Sequence, residues 1–304
     1  MKFLTCILTC LFLPYVAWAE RTVCKSGENI QDCIDRVEYG EVLLEPGIYL
    51  TEQILLQKSN ITLIIPSNTT IALSDDARIN PNAKDGVVNA IIYARGSLQR
   101  PLKNIHIILN GVIDGKLNTH TAERGGLEGI NYAFVYGGSI SGSGVIHSVN
   151  GDAVDIDASQ YVDISNIKVM DNGGSGIHFG SPRPIVPSMH NLVFNVTSVR
   201  NGHLRRRNGF DLSWPNPNGA TFVNCIGAEN YRNWQIEANG VVVNSTSERG
   251  SVEDDVRHGT YVEINGKNKA GINFFSRRTQ NLIRRDINLI LGRSVPDHLI
   301  GLEY

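Results

Sequence analysis

Five short segments of alternating apolar and polar residues recur down the second half of this 304-residue chain. They are Val154-Asp155-Ile156-Asp157, Ile177-His178-Phe179, Gly209-Phe210-Asp211-Leu212-Ser213, Asn233-Trp234-Gln235-Ile236-Glu237 and Tyr261-Val262-Glu263-Ile264-Asn265. Period-two alternation marks half-buried strands. Successive steps from Asp155 are 23, 33, 24 and 28 residues, with Asn-Gly and Gly-Gly turns between the first two segments. About 23 residues is one turn of a parallel β-helix, in which each coil stacks on the last and buries a shared apolar core. The excess over that repeat predicts loops over one face.

In-register stacking predicts two outward columns. One runs Asp155, His178, Asp211, Gln235, Glu263, and the other Asp157, Gly180, Ser213, Glu237, Asn265. Neighbouring strands lie ~4.8 Å apart, so titratable neighbours in a column perturb one another. Asp155 and Asp211 fall roughly 10 Å apart at the backbone, two such steps. Two carboxyls ~6.5–9.5 Å apart can work as a pair, one as acid and one activating water. Asp155 and Asp211 are the expected pair, His178 tunes their protonation, and Asp152, Asp157 and Glu237 are reserves. The bland alternative is that outward positions of a β-helix are simply polar.

The flanks fit the same architecture. The start MKFLTCILTCLFLPYVAWAE carries Lys2, an apolar run Phe3–Leu13 and Ala17-Trp18-Ala19. It reads as a signal peptide over 1–19, cleaved after Ala19, for a secreted or periplasmic protein. The apolar run is shorter than the ~20 residues a membrane span needs, and Pro14 interrupts it. Residues 20–304 are expected to form one β-helix domain, with caps over 20–40 and about 267–304. Ile30, Cys33, Ile34 and Val37 put one apolar face on a helix over Gly27–Tyr39, a lid for the first coil. Cys24 and Cys33 are expected to bridge, and Cys225 to be buried. Strands are expected at Val42–Leu44, Ile48–Leu50, Ile54–Leu56, Ile61–Ile65, Ala90–Tyr93, Ile130–Tyr136 and Ser139–Ile146, with a loop over 116–129. The sequons at Asn60, Asn68, Asn195 and Asn244 read better as turn asparagines than as glycan sites. A net charge of −2 gives no sign of a nucleic-acid or membrane-surface partner.

Asn110-Gly-Val-Ile-Asp-Gly115, then Asn150-Gly151-Asp152 and the rhythm of DISNIKVMDNGGSGIHFGS, make residues 104–240 resemble the polygalacturonase family of pectin-cleaving glycoside hydrolases. The resemblance implies an all-β, single-stranded right-handed parallel β-helix with a short N-terminal capping helix. Asp152 falls where the family's first catalytic Asp falls. Gly174 and Ser175 stand in place of its paired aspartates, and Gln235-Ile236-Glu237 in place of Arg-Ile-Lys. Gly202-His203 echoes Gly-His-Gly, but Leu204 follows. The scaffold is therefore expected without the family's full catalytic set. Pectate lyases, alginate lyases and mannuronan C5-epimerases share the scaffold, and Asp155-Ile156-Asp157 loosely parallels the epimerase Asp-Pro-His.

The expected function is a glycoside hydrolase cutting an acidic, uronic-acid-containing polysaccharide. Arg183, Arg205 and Arg207 would neutralise the substrate, and His203, Tyr231, Trp214 and Trp234 complete the expected substrate-facing set. The alternatives are a uronan lyase or C5-epimerase in the same groove, or a non-catalytic carbohydrate-binding β-helix. No cofactor is required; calcium on Asp152, Asp155 and Asp157 is a weaker reading. The expected partner is the polysaccharide alone, with no nucleic acid, no membrane after cleavage, and a monomeric chain.

Overall fold

The computed structural model describes residues 20–75, 77, 89–117, 127–180, 186–212, 219–236, 239–256 and 261–266. The expected signal peptide, the 267–304 cap, and most of the 116–129 loop lie outside them. Among the described residues no helix is long and apolar enough to cross a membrane.

Eight parallel strands make one face: Ile54–Leu56, Asn89–Arg95, Leu127–Ala133, Val154–Asp157, Ile177–Gly180, Asn208–Leu212, Arg232–Ile236 and Asp255–Val256. The other seventeen described strands form a second parallel sheet around the remaining faces. Each coil visits the first sheet once. The coil after Val154–Asp157 continues through Gln160–Ser165 and Lys168–Met170 before returning at Ile177. Parallel crossovers of this kind close right-handed because twisted strands pack back only that way.

Inward positions fill one apolar core, with Ile130, Val154, Ile156, Ile177, Phe179, Phe210, Leu212 and Ile236 fully buried from successive coils. Turns are punctuated by left-handed residues. The sequon residues Asn60, Asn195 and Asn244 have φ of 61°, 52° and 45°. Their side chains hydrogen-bond the asparagines of neighbouring coils, Asn104, Asn166 and Asn224, at 2.8–2.9 Å. Asparagine tolerates this conformation and supplies the bonds, which is the turn role expected of it. Phe134, at φ 55°, divides the expected strand Ile130–Tyr136 into Leu127–Ala133 and Val135–Ser141.

The capping helix is Ile30–Asp35, shorter than expected. The Asn29 side chain accepts from Gln31 N–H at its start, and a tight turn follows Arg36. Ile30, Cys33, Ile34 and Val37 are buried as expected, and Cys24 and Cys33 are bridged. Cys225 is buried, and burial pushes its thiol up to about 12, which leaves it inert.

One expected strand takes another place. Tyr261–Gly266 pairs with Asn239–Glu248 in the larger sheet, so Glu263 and Asn265 do not continue the two columns. Gln235 is followed instead by Asp255, only 20 residues on. Alternation shows that a segment is half-buried but not which face of the coil it joins.

Candidate functional site

The first column stands in the structure as Asp155–His178–Asp211–Gln235 and extends upstream through Asn131, Tyr93 and Leu55. The second begins Arg95–Ala133–Asp157–Gly180. Ser213 and Glu237, expected next in it, lie outside the described residues, as do Arg183 and Trp214.

The upper part of the columns gathers the acids. His178 Nδ1–H donates to Asp155 Oδ1 at 2.8 Å, with Asp152 Oδ2 at 3.3 Å. The Asn131 amide donates to Glu128 Oε2 at 2.8 Å, Asp155 Oδ2 at 3.2 Å and Asp157 Oδ2 at 3.4 Å. Asp155 is only 5% exposed, and Asn131 is fully buried with its Oδ1 unpartnered. Glu128 and Asn131 carry no motif and went unread in the sequence. The one signal is the 24-residue separation of Asn131 from Asp155, which is one coil.

Asp152 enters from the turn before the strand. Ser175 N–H donates to its Oδ1. A Cβ at Gly174 would stand 2.3 Å from that oxygen and 2.6 Å from the Gly151 backbone. Here Asp152 fills the space that a side chain at 174 would need, which explains glycine at one of the paired-aspartate positions.

These contacts divide the protons unequally. Burial, then the charge of Asp155, pushes the Asp157 carboxyl up to about 8. Burial, with Asp155, Asp152 and Asp157, also raises Glu128 well above its ordinary value. Burial works against an ionised Asp152 too, but the hydrogen bond and charge of His178, the Ser175 N–H and Arg207 together hold it below the usual range. Burial opposes a charged His178, yet Asp155 and the bonds to Asp152 and Asp155 raise it well above 6.5. With its carboxyl near 8, Asp157 keeps its proton at neutral pH, while Glu128 is pushed in the same direction, His178 is favoured as the cation and Asp152 as the carboxylate. Burial pushes the Tyr93 hydroxyl up to about 12.

The remaining expected residues divide. Asp211 holds its column position but is fully buried, with Asn208 Nδ2 donating to it at 2.7 Å and Ser175 Oγ at 3.3 Å. It is an interior polar group rather than a solvent-facing acid. Trp234 was expected against substrate and is instead core. It is fully buried, stacked on Phe210 with ring centroids 4.3 Å apart and edge-on to Phe222. On this strand the even residues point inward, and Trp234 has the parity of Ile236. Arg205 is half-buried and donates to Asn150 Oδ1 at 2.9 Å. Arg207 is exposed, Tyr231 half-buried, and exposed His203 donates to the Glu229 carbonyl at 2.7 Å.

Donor atoms of Asp152, Asp155 and His178 lie within 4.8 Å of one another. Calcium takes six to eight oxygens, and two carboxylates with an imidazole that already bridges them do not supply that shell. Asp157, the third residue of the expected calcium set, is not in this group.

The sheets and their connections define a right-handed parallel β-helix. No protein-family model and no curated protein matches the chain. Among solved structures it is similar to a polygalacturonase from Erwinia carotovora ssp. carotovora, at 13% identity and TM-score 0.55, over 85% of this chain and 83% of that one. It is similar to ORF18 of Geobacillus virus E2 at 16% identity and TM-score 0.56, over 81% of this chain but only 50% of that one. A hyperthermoactive exopolygalacturonase from Thermotoga maritima gives 14% identity and TM-score 0.51, over 80% and 76%. At such identities the likeness concerns the fold.

Proposed function

We propose that this chain is a secreted glycoside hydrolase that cuts an acidic, uronic-acid-containing polysaccharide. The observation that carries the reading is the cluster in which His178 and Asn131 join Asp152, Asp155 and Asp157 in opposed settings, burial pushing the Asp157 carboxyl up to about 8 while His178 and the Ser175 N–H hold Asp152 down. Two carboxyls with opposed environments are what glycoside hydrolysis requires.

In this reading Asp157 gives its proton to the glycosidic oxygen as the bond to the anomeric carbon breaks. The Asp152 carboxylate stabilises the oxocarbenium-like centre and directs water onto it. Water supplies hydroxyl to the anomeric carbon, and its other proton restores the acid. The His178 imidazolium and Asn131 hold the carboxylates in place, and exposed Arg207 offsets substrate charge. The roles thus move from Asp155 and Asp211 to Asp157 and Asp152. A lyase or epimerase needs a base for the C5 proton. His178 held as a cation and Tyr93 held as a neutral phenol are poor ones, so either alternative would have to use the Asp152 carboxylate as its base.

The test is product mass from a panel of uronic-acid and neutral polysaccharides. Saturated fragments carrying one added water are expected. Unsaturated fragments would make the protein a lyase. Uncut polymer with solvent deuterium at C5 would make it an epimerase, and uncut polymer without it a binder.

A further inference from the structure

We propose that Arg95 forms a carboxylate-reading subsite on the N-terminal side of the acidic cluster, occupied by one uronic-acid residue of the polymer. The inference rests on the acidic-polysaccharide reading above. Arg95 points outward in the same column as Asp157, with Ala133 between them and Gly180 beyond. Two strand steps separate the Arg95 and Asp157 backbones, roughly 10 Å. Only a methyl group stands between the two side chains. Gly180 keeps the other flank of Asp157 small. A Cβ there would meet His178 Cε1 at 2.8 Å and Asp157 Oδ1 at 3.3 Å.

Ala90, Tyr93 and Ala133, with Leu55 and Phe134 packed against them, form an apolar cluster separate from the main core. The Arg95 guanidinium carbon lies 5.9 Å from the centre of the Tyr93 ring, which steadies it. Arg95 is exposed, and among the described residues no carboxylate lies within ion-pair distance of it. A uronic-acid ring presents an apolar C–H face and a carboxylate. Half-buried Leu55 and Phe134, at the edge of that buried cluster, suit the first, and Arg95 the second.

Binding, rather than cleavage, tests this. Short oligogalacturonates, oligomannuronates and oligoguluronates would be titrated calorimetrically into the wild-type protein, Arg95→Gln and Arg95→Lys. The same oligomers with their carboxyls reduced to alcohols serve as controls. The expected result is wild-type preference for one acidic series, about tenfold weaker in Arg95→Gln and partly kept in Arg95→Lys, with neutral binding unchanged. An acidic preference undiminished in Arg95→Gln overturns the subsite and leaves the acidic-substrate reading standing. A wild-type protein that binds only neutral oligomers, or none, overturns both. Melting curves matching wild type confirm that the variants are folded.

Discussion

Asp155 and Asp157 are two residues apart on one strand and share the Asn131 amide, yet their settings differ. Asp155 is almost fully buried against the His178 cation. Its polar-outward position alone predicts a solvated carboxylate whose replacement leaves stability unchanged. The structure reverses that expectation. Asp155→Asn should cost about 1–3 kcal/mol, because it weakens a buried charge-assisted hydrogen bond. Denaturant unfolding would show it, and an unshifted midpoint would contradict this account of the cluster. Asp157 is half-buried and is the proposed acid. Asp157→Asn should lower turnover by roughly 100-fold or more. In the wild-type protein the rate should fall as pH rises through about 8, where Asp157 loses its proton. If that alkaline limb survives in the variant, another group is the acid.

At the scale of elements, the outward columns are positioned by the turns beneath them. Buried asparagines stack through successive coils at one corner. The Asn201 Oδ1 accepts from the backbone and side chain of Asn172, and its amide donates to the Val169 carbonyl. Asn201 N–H in turn donates to Asn230. These contacts satisfy turn backbone groups that no water reaches. Asn201→Ala strands several of them at once and should destabilise the fold by about 3 kcal/mol. Thermal melting would measure this. Loss of activity with the melt unchanged would place Asn201 in the chemistry instead. The strands themselves were legible, because Ile54–Leu56 and Ile61–Ile65 have the expected bounds. Asp255–Val256 was not, since two residues carry no alternation to read.

For the whole molecule, the cluster links stability to pH. Asp157 and Glu128 have folded-state affinities raised above their ordinary values, so their neutral forms favour folding. Stability from this source is full below the ordinary carboxylate range and declines as pH rises towards about 8 for Asp157. His178 is also raised, so its contribution is full below about 6.5 and is lost as pH rises through its folded value. Asp152 has the opposite sign, and its contribution is lost only in strong acid. The melting temperature should therefore fall between mildly acidic and mildly alkaline solution, and Asp157→Asn should flatten that fall. A scan across this range decides it, and a melting temperature that rises with pH would contradict the proton assignments.

The sequence by itself determined the coil repeat, the inward apolar set and the adjacency of Asp155, His178, Asp211 and Gln235. Period-two alternation and loop spacing are local properties, and parallel stacking converts them directly into register. Tertiary structure alone decided how those residues are surrounded. It buried Asp211 and turned Trp234 into the core. It brought Glu128, Asn131 and Tyr93 beside the acids, and it placed Arg95 in line with Asp157. Burial and proton affinity depend on neighbours one or more coils away, and alternation within a strand does not encode them.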